Sequence, residues 1–526
     1  MNKNFKLDKH LEFIKVWNDY KQFPTVEEVS EHLNITYDAT RSKARRYKAL
    51  TLRYPEMNLP PILNRKDTID GQAVYYDHID TKGLDLSKVK TKRFFITGAQ
   101  YGAEVNVRLF ESVKNYCKRN NAQLIILPMK YGSGFPALHE SIREYAVYNN
   151  HTLNENLNLN CITLRPTLVN PLSSMERTGG ERSQIFAHPK HAMQFVARGA
   201  NEFPKAIMTT GSITYPEYMP DKTGRIAIRD HSFGGVIVDI QDDKHFTFRH
   251  VKADEYNRLY DVSGVYAPDS MKKRTRSRPV ALVCGDWHTG HTNKVVRKVT
   301  FGKKGIVETL KPKSIFMHDF FDGRSISHHD EKNNMLMAKK QTNGERCLAS
   351  ELAMCVKEMH NILNASCGAK LYVVASNHDE HLDRYLAEGR YIKDYTNFEF
   401  AHKLVGKAMR EQKPAFIAHM QEHFPEVKFL ERDEDCYKAG IKLDMHGDQG
   451  KNGSRGSIKQ FDTVCSGTVT GHTHTPAIQG TAYQVGTSTD LKLPYTKGLS
   501  SWVNTHAVVW ENGTVQLINI IDGKWK

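Results

Sequence analysis

From residue 280 onward the chain repeats one pattern five times: a short apolar run, then a cluster of side chains of metal-binding type. Residues 280–284 lead to Asp286 and His288, and residues 314–317 to His318-Asp319, with Asp322 three positions later. Residues 371–375 lead to Asn377-His378-Asp379, residues 441–445 to His446, and residues 463–469 to Gly471-His472-Thr473-His474. Apolar runs of this length read as buried strands. In extended backbone, residues two apart share a side, so Asp286 and His288 can grip one ion. Functional groups gather at strand ends in an α/β sheet, so clusters far apart in the chain can meet in one cleft. Each cluster alone also fits an ordinary turn or surface loop; it is the succession of five that argues for a site. Carboxylate, imidazole and amide oxygen together suit Mn²⁺, Fe²⁺ or Zn²⁺, and the lack of thiolate ligands argues against a purely structural zinc.

The order Asp-x-His, Asp with a nearby Asp, Asn-His-Asp, His-Gly and Gly-His-Thr-His resembles the calcineurin-like metallophosphoesterase superfamily, over residues 278–490. The SbcD-type nucleases are one branch of it. The resemblance implies a two-sheet sandwich flanked by helices, with two divalent ions at its crest. It implies that Asp286, His288 and His474 hold one ion, that Asp319 bridges, and that Asn377, His446 and His472 hold the other. His378 would donate a proton to the departing oxygen. Two cations about 3.5 to 4 Å apart lower the pKa of a shared water and neutralise phosphoryl charge, and an imidazole titrates in the range a general acid needs near neutral pH. Mn²⁺ is the leading candidate, with Fe²⁺, Zn²⁺ or Mg²⁺ as alternatives. Asp322, Arg324 and Asp379 are candidates to support the ligands from behind. Two departures stand out: His318 and Ser376 occupy positions where the family usually has glycine, which affects turn geometry. His291, His328 and His329 read as polar surface histidines.

Before this region, residues 8–21 carry Leu11, Ile14 and Trp17 at helical spacing, beside Phe13 and Val16. Thr25 with Glu28 is a capping-box pattern that opens a second helix. Residues 37–50 form a third, bearing Arg41, Lys43, Arg45 and Arg46 as candidate DNA contacts in a helix-turn-helix-like module, or else as a solvated basic face. The expected organisation is this module at 1–54, a linker at 55–92, an α/β domain of unassigned role at 93–270, and the metallophosphoesterase domain at 271–526. Within 93–270, a βαβ unit spans 93–98, 104–118 and 123–127, strands fall at 206–210 and 235–239, and 246–250 pairs with the latter. Residues 154–182 read as loop-rich, 332–365 as one long helix, and 507–510 with 515–521 as a closing hairpin over Asn512-Gly513.

A net charge of +15 fits a polyanion partner as well as a merely basic surface. Eight scattered cysteines without a CxxC pair fit a reduced, cytoplasmic protein. No run is long enough to span a membrane. The whole-chain arrangement resembles the pre-early DNA-degradation proteins of T-five-like bacteriophages, which implies destruction of host DNA early in infection. The leading expectation is therefore a metal-dependent DNase working on DNA by a two-metal mechanism in the host cytoplasm. The SbcD-type resemblance implies a homo-oligomer, dimer or larger. The alternatives are a phosphatase acting on phosphoproteins or nucleotides, and a DNA-binding regulatory protein.

Overall fold

The computed structural model describes residues 83–131, 137–199, 202–269, 277–464, 466–493 and 496–526, with 68–69, 72–73 and most of 7–47. The chain divides into two compact units, Met1–Thr81 and Lys82–Lys526. In the first, helices Leu7–Asn18 and Val26–His32 bury Phe13, Ile14, Trp17, Val26 and Val29 with Ala44 and Tyr47. Leu11, expected on that face, is 36% exposed. At 3.6 residues per turn it falls more than a quarter-turn from the stripe centred on positions 13, 14 and 17. Residues 39–40, 42–44 and 47 are helical, as the expected third helix requires. Lys43 is exposed, its Nζ 5.7 Å from the Phe13 ring centroid. Arg41, Arg45, Arg46 and Thr25 lie outside the described residues.

The second unit contains three large sheets. A six-stranded sheet runs Lys428–Leu430, Lys370–Val374, Ser314–Met317, Ala281–Val283, Thr505–Val509, Val515–Asn519. Its first four strands are parallel and the last two form an antiparallel hairpin. Parallel order puts the C-terminal ends of Ala281–Val283, Ser314–Met317 and Lys370–Val374 side by side, so the first three ligand clusters emerge at one edge. The closing hairpin turns at Gly513, whose φ of 78° suits glycine.

A four-stranded sheet runs Phe246–Lys252, Gly234–Ile240, Arg93–Gln100, Gln123–Met129. The last two strands are parallel and joined by helix Val107–Asn120, which is the expected βαβ unit. The third sheet has ten strands: Tyr437–Lys438, Ile441–Lys442, Thr468–Thr470, Ala482–Gln484, Ala477–Gln479, Ala192–Val196, Lys205–Thr209, Ser183–Phe186, Leu157–Asn160, His151–Asn154. Strands from both sides of the boundary expected near 270, those of 151–209 and of 437–484, share one sheet, joined where Ala477–Gln479 pairs antiparallel with Ala192–Gln194. An unpaired strand edge seeks backbone partners, and local sequence does not say which edge will supply them.

One apolar layer lies between the ten-stranded sheet and the other two, with Ile96, Leu159, Met208, Phe316, Val469 and Leu517 among its members. Helices cover the other face of the six-stranded sheet, where Leu348, Leu352, Cys355 and Met359 pack in one cluster with Ile315 and Met317. The long helix expected over 332–365 is two helices, Asn334–Thr342 and Leu348–Ala365. Gly344, at φ 73°, breaks the run, and a glycine in that conformation ends a helix at little steric cost. The expected strand at 441–445 contributes only Ile441–Lys442 to a ladder, and that at 463–469 starts at Thr468.

Candidate metal centre

All five strand-end segments converge. One donor atom each from Asp286, His288, Asp319 and His474 lie within 4.8 Å of one another; the same holds for Asp286, His318 and His446, and for His288, Asp322 and His378. Asp286, His288, Asp319, His446 and His474 are all buried. Nε2 of His288 sits 3.0 Å from Nε2 of His474 and 3.4 Å from Asp319 Oδ2. His474 Nε2 is 3.3 Å from Asp286 Oδ2, and His446 Nε2 is 3.2 Å from Asp319 Oδ2. The His472 ring lies 5.2 Å from that of His446.

The donor set is under-satisfied in a way that fits cations. Neither oxygen of Asp286 makes a hydrogen bond of good geometry, and Asp319 Oδ1, Asn377 Oδ1, His472 Nδ1 and His474 Nδ1 are likewise buried without a partner. Buried carboxylates are costly unless paired or coordinated, and unsatisfied buried polar atoms call for an explanation. Oxygen and imidazole donors at this density suit borderline divalent ions.

Backbone geometry aims these side chains. His288, Asp319, His472 and His474 have φ of 44°, 45°, 75° and 59°, left-handed values that L-residues adopt at a cost. Three strand-to-strand bonds brace the first loop: Asp286 N–H donates to Gly486 O, Trp287 N–H to His318 O and His288 N–H to Asp319 O. Gly471 passes so near Asp286 that a Cβ there would collide with Oδ1.

Charges in the cluster are strongly coupled. Burial, then the neighbouring Asp319, pushes the Asp286 carboxyl up to about 7. Burial opposes protonation of His288 and His446, but Asp319 outweighs it, with help from Asp322 at His288, and both rise to about 9. Asp319 itself is held well below the usual carboxylate range: burial opposes this, and His446, His378 and His288 override it. The set thus holds protons that a cation has to displace.

Supporting residues fall into place around this core. Asp322 Oδ1 is 2.9 Å from His288 Nδ1, which directs the Nε2 of that ring toward the centre. Burial works against ionisation of Asp322, yet the bond to His288 brings its carboxyl down to about 2. His378 Nδ1 donates to Asp322 O at 2.6 Å, and its ring stands edge-on to His288 at 4.6 Å. Arg324 is turned to His291 and Glu345. Asp379 accepts from Ser376 N–H, and burial followed by Asp319 raises it to about 8.

Two further side chains border the site: His318, expected to affect turn geometry, and Trp502, which was not anticipated. His318 is fully buried, with Nδ1 3.3 Å from His446 Nδ1 and Nε2 unpartnered. Burial, then His446, pushes its ring down to about 3, so it is a neutral donor. Its only sequence signal was its place before Asp319 at a strand end. Trp502 stacks edge-on against His474 at 4.2 Å, and nothing near it in sequence marked it. His291, expected at the surface, is half-buried 3.6 Å from Asp322 Oδ2, because the turn after His288 folds back over the site. His329 is exposed and His328 half-buried, their rings 3.8 Å apart.

Among curated proteins, Protein A1 of Escherichia phage T5 is 28% identical to this chain over 466 residues, spanning 82% of this chain and 83% of that protein. No family model matches the chain, and no solved structure matches it. No helix among the described residues is long and apolar enough to cross a membrane.

Proposed function

We propose that the chain is a divalent-metal-dependent phosphodiesterase of the calcineurin-like type that hydrolyses DNA. The observation that carries this reading is the delivery of Asp286, His288, Asp319, His446 and His474 from four strand ends into one buried set, in which Asp286, Asp319, His446 and His474 keep donor atoms without a partner. In it, Asp286, His288 and His474 would hold one ion, Asn377, His446 and His472 a second, and Asp319 would serve both. Mn²⁺ is taken as the activating ion from the family resemblance, and Fe²⁺ or Zn²⁺ fit the same donors. When bound, the ions neutralise charge that develops on the phosphoryl oxygens and ease deprotonation of an attacking water.

The remaining steps belong to the chain. His378, its Nδ1–H given to Asp322 O, has Nε2 left to carry a proton to the leaving oxygen. Asp322 keeps His288 in one tautomer, and Arg324 and Asp379 stabilise the loops that carry these residues. DNA as substrate is supported by the +15 charge and by the likeness to a phage protein. We take the basic residues Arg41, Lys43, Arg45 and Arg46 of the first unit as an added DNA contact. Action on host DNA in the host cytoplasm, and self-association, form part of the same reading.

The test is incubation of the purified chain with linear and circular DNA, with Mn²⁺ or with EDTA, beside a chromogenic phosphomonoester. Cleavage of DNA with Mn²⁺ alone is expected. DNA left intact while the monoester turns over would replace this reading by a phosphatase; no turnover of either would leave a DNA-binding regulator.

A further inference from the structure

The two halves of the second unit repeat one plan. From its hairpin edge, the six-stranded sheet reads Val515–Asn519, Thr505–Val509, Ala281–Val283, Ser314–Met317, with two antiparallel steps and then a parallel one. The four-stranded sheet reads Phe246–Lys252, Gly234–Ile240, Arg93–Gln100, Gln123–Met129, with the same steps. The ten-stranded sheet is a palindrome. From either end the pairings run antiparallel, parallel, parallel, antiparallel, and the two series meet at its centre.

At that seam Ala477 faces Gln194, Ile478 faces Met193 and Gln479 faces Ala192. Within their own hairpins Ile478 pairs Tyr483 as Met193 pairs Met208, and Gln479 pairs Ala482 as Gln194 pairs Ile207. Ile478 therefore meets its own counterpart, Met193, while Ala477 and Gln479 each meet the counterpart of the other. That is the self-complementary register of an isologous two-fold contact, here closed within one chain.

Backbone hydrogen bonds fix the correspondence near the site. Gly98 N–H to Gly211 O and Asp286 N–H to Gly486 O are both 3.1 Å; Ile213 N–H to Gly98 O and Ser488 N–H to Asp286 O are both 2.8 Å. Asn106 N–H to Ile213 O matches Asn293 N–H to Ser488 O at 2.9 Å, and each asparagine side chain then caps the next helix. Gly98 thus stands where Asp286 stands, and Gln100 where His288 does. Tyr101 N–H to Met129 O parallels Thr289 N–H to Phe320 O, which puts Pro128 in the place of Asp319. Thr210 N–H to Phe186 O parallels Val485 N–H to Thr470 O, which puts His188 and Lys190 in the places of His472 and His474.

The first half keeps an Asn-His pair, Asn150-His151, four residues beyond the Ile126–Ala146 bridge, just as Asn377-His378 follow the Met317–Val373 pair. It keeps little else. Asn150 Oδ1 is taken by Cys161 N–H at 2.7 Å, and His188 faces Arg165 O. Lys190 brings a buried ammonium, held by Asp230 and Asp462 at 3.0 and 2.9 Å, and an ammonium has no lone pair to offer a cation.

We propose that the chain is an internal pseudo-dimer of two phosphoesterase-type halves, the first of which has lost its metal ligands, so that each chain carries one metal centre. This rests on the metal assignment above but not on the identity of the substrate. The full chain is titrated with Mn²⁺ by calorimetry, with thermal melting as a check on folding. Two ions per chain are expected. The pair Asp319→Asn with His446→Gln is expected to bind none, and the pair Gln100→Ala with His188→Gln to keep both. Ions retained at full count by the first variant overturn the proposal, as does their loss from a folded second variant. If the second variant does not fold, the first decides alone. A chain that binds two Mn²⁺ yet leaves DNA intact removes the nuclease reading and leaves this one standing.

Discussion

Gly471→Ala tests the geometry of the metal centre with one added methyl. A Cβ at 471 would fall more than 1 Å inside the 3.4 Å of ordinary contact with Asp286 Oδ1. The side chain of His318 also borders that space, so the Asp286 carboxylate has to retreat by about 1 Å. Misplacing a positioning group by about 1 Å costs on the order of 10²-fold in rate. The substitution adds no polar group and removes none, and 471 is not among the glycines at positive φ, so the fold itself should be little affected. DNA cleavage with Mn²⁺ is therefore expected to fall about a hundredfold, with weakened binding of one ion in a metal titration and a near-unchanged melting temperature. Wild-type metal binding and wild-type cleavage would refute the placement of Asp286 as a ligand. Equal loss of metal binding and of folding would refute the claim that the contact is local.

Three further outcomes are expected. His378→Ala should lower cleavage by about 10² to 10⁴-fold, the usual worth of a general acid, with Mn²⁺ binding retained; parallel loss of metal would assign His378 to the ligands instead. Metal binding should tighten as pH rises from about 7 to about 9, since the Asp286, His288 and His446 protons that lie in this range have to leave before a cation can bind. A pH-independent affinity measured by calorimetry would contradict that coupling. Acid should destabilise the fold: burial pushes His188, His231, His250 and His506 down to about 4. Their folded pKa values lie below the unfolded 6.5, so the unfolded chain binds more protons between these limits, and stability falls as pH drops through that window. Each contributes up to about 1.4 kcal/mol per pH unit, read by denaturant titration at several pH values.

The ligand cluster was legible in the sequence because its signals are local. An apolar run, a strand end and a carboxylate or imidazole two residues on lie within one short window, and parallel neighbours then align the ends. Long-range pairing was not legible. Ala477–Gln479 meets Ala192–Gln194 across some 285 residues of chain, and no residue in either strand names its partner. The same reason hid the role of residues 93–270, whose counterpart positions carry Gly98, Gln100 and Pro128 in place of ligands. His318 stands in a cluster of metal-binding type, but its place before Asp319, where the family usually has glycine, points to turn geometry and not to a donor. The break at Gly344 is hard to read because the helical composition of 332–365 outweighs a single glycine.

Left-handed backbone at His288, Asp319, His472 and His474 also bears on how this chain can change. Each such residue costs about 1 to 2 kcal/mol relative to ordinary backbone, and four together approach the roughly 5 to 15 kcal/mol that separates a typical folded domain from its unfolded chain. Glycine at any of the four would relieve that cost. A library of variants screened for heat resistance alone should therefore enrich glycine at these positions and discard the site in doing so. Aspartate and histidine at these positions are set against the preference of the backbone beneath them, as the proposed metal centre requires.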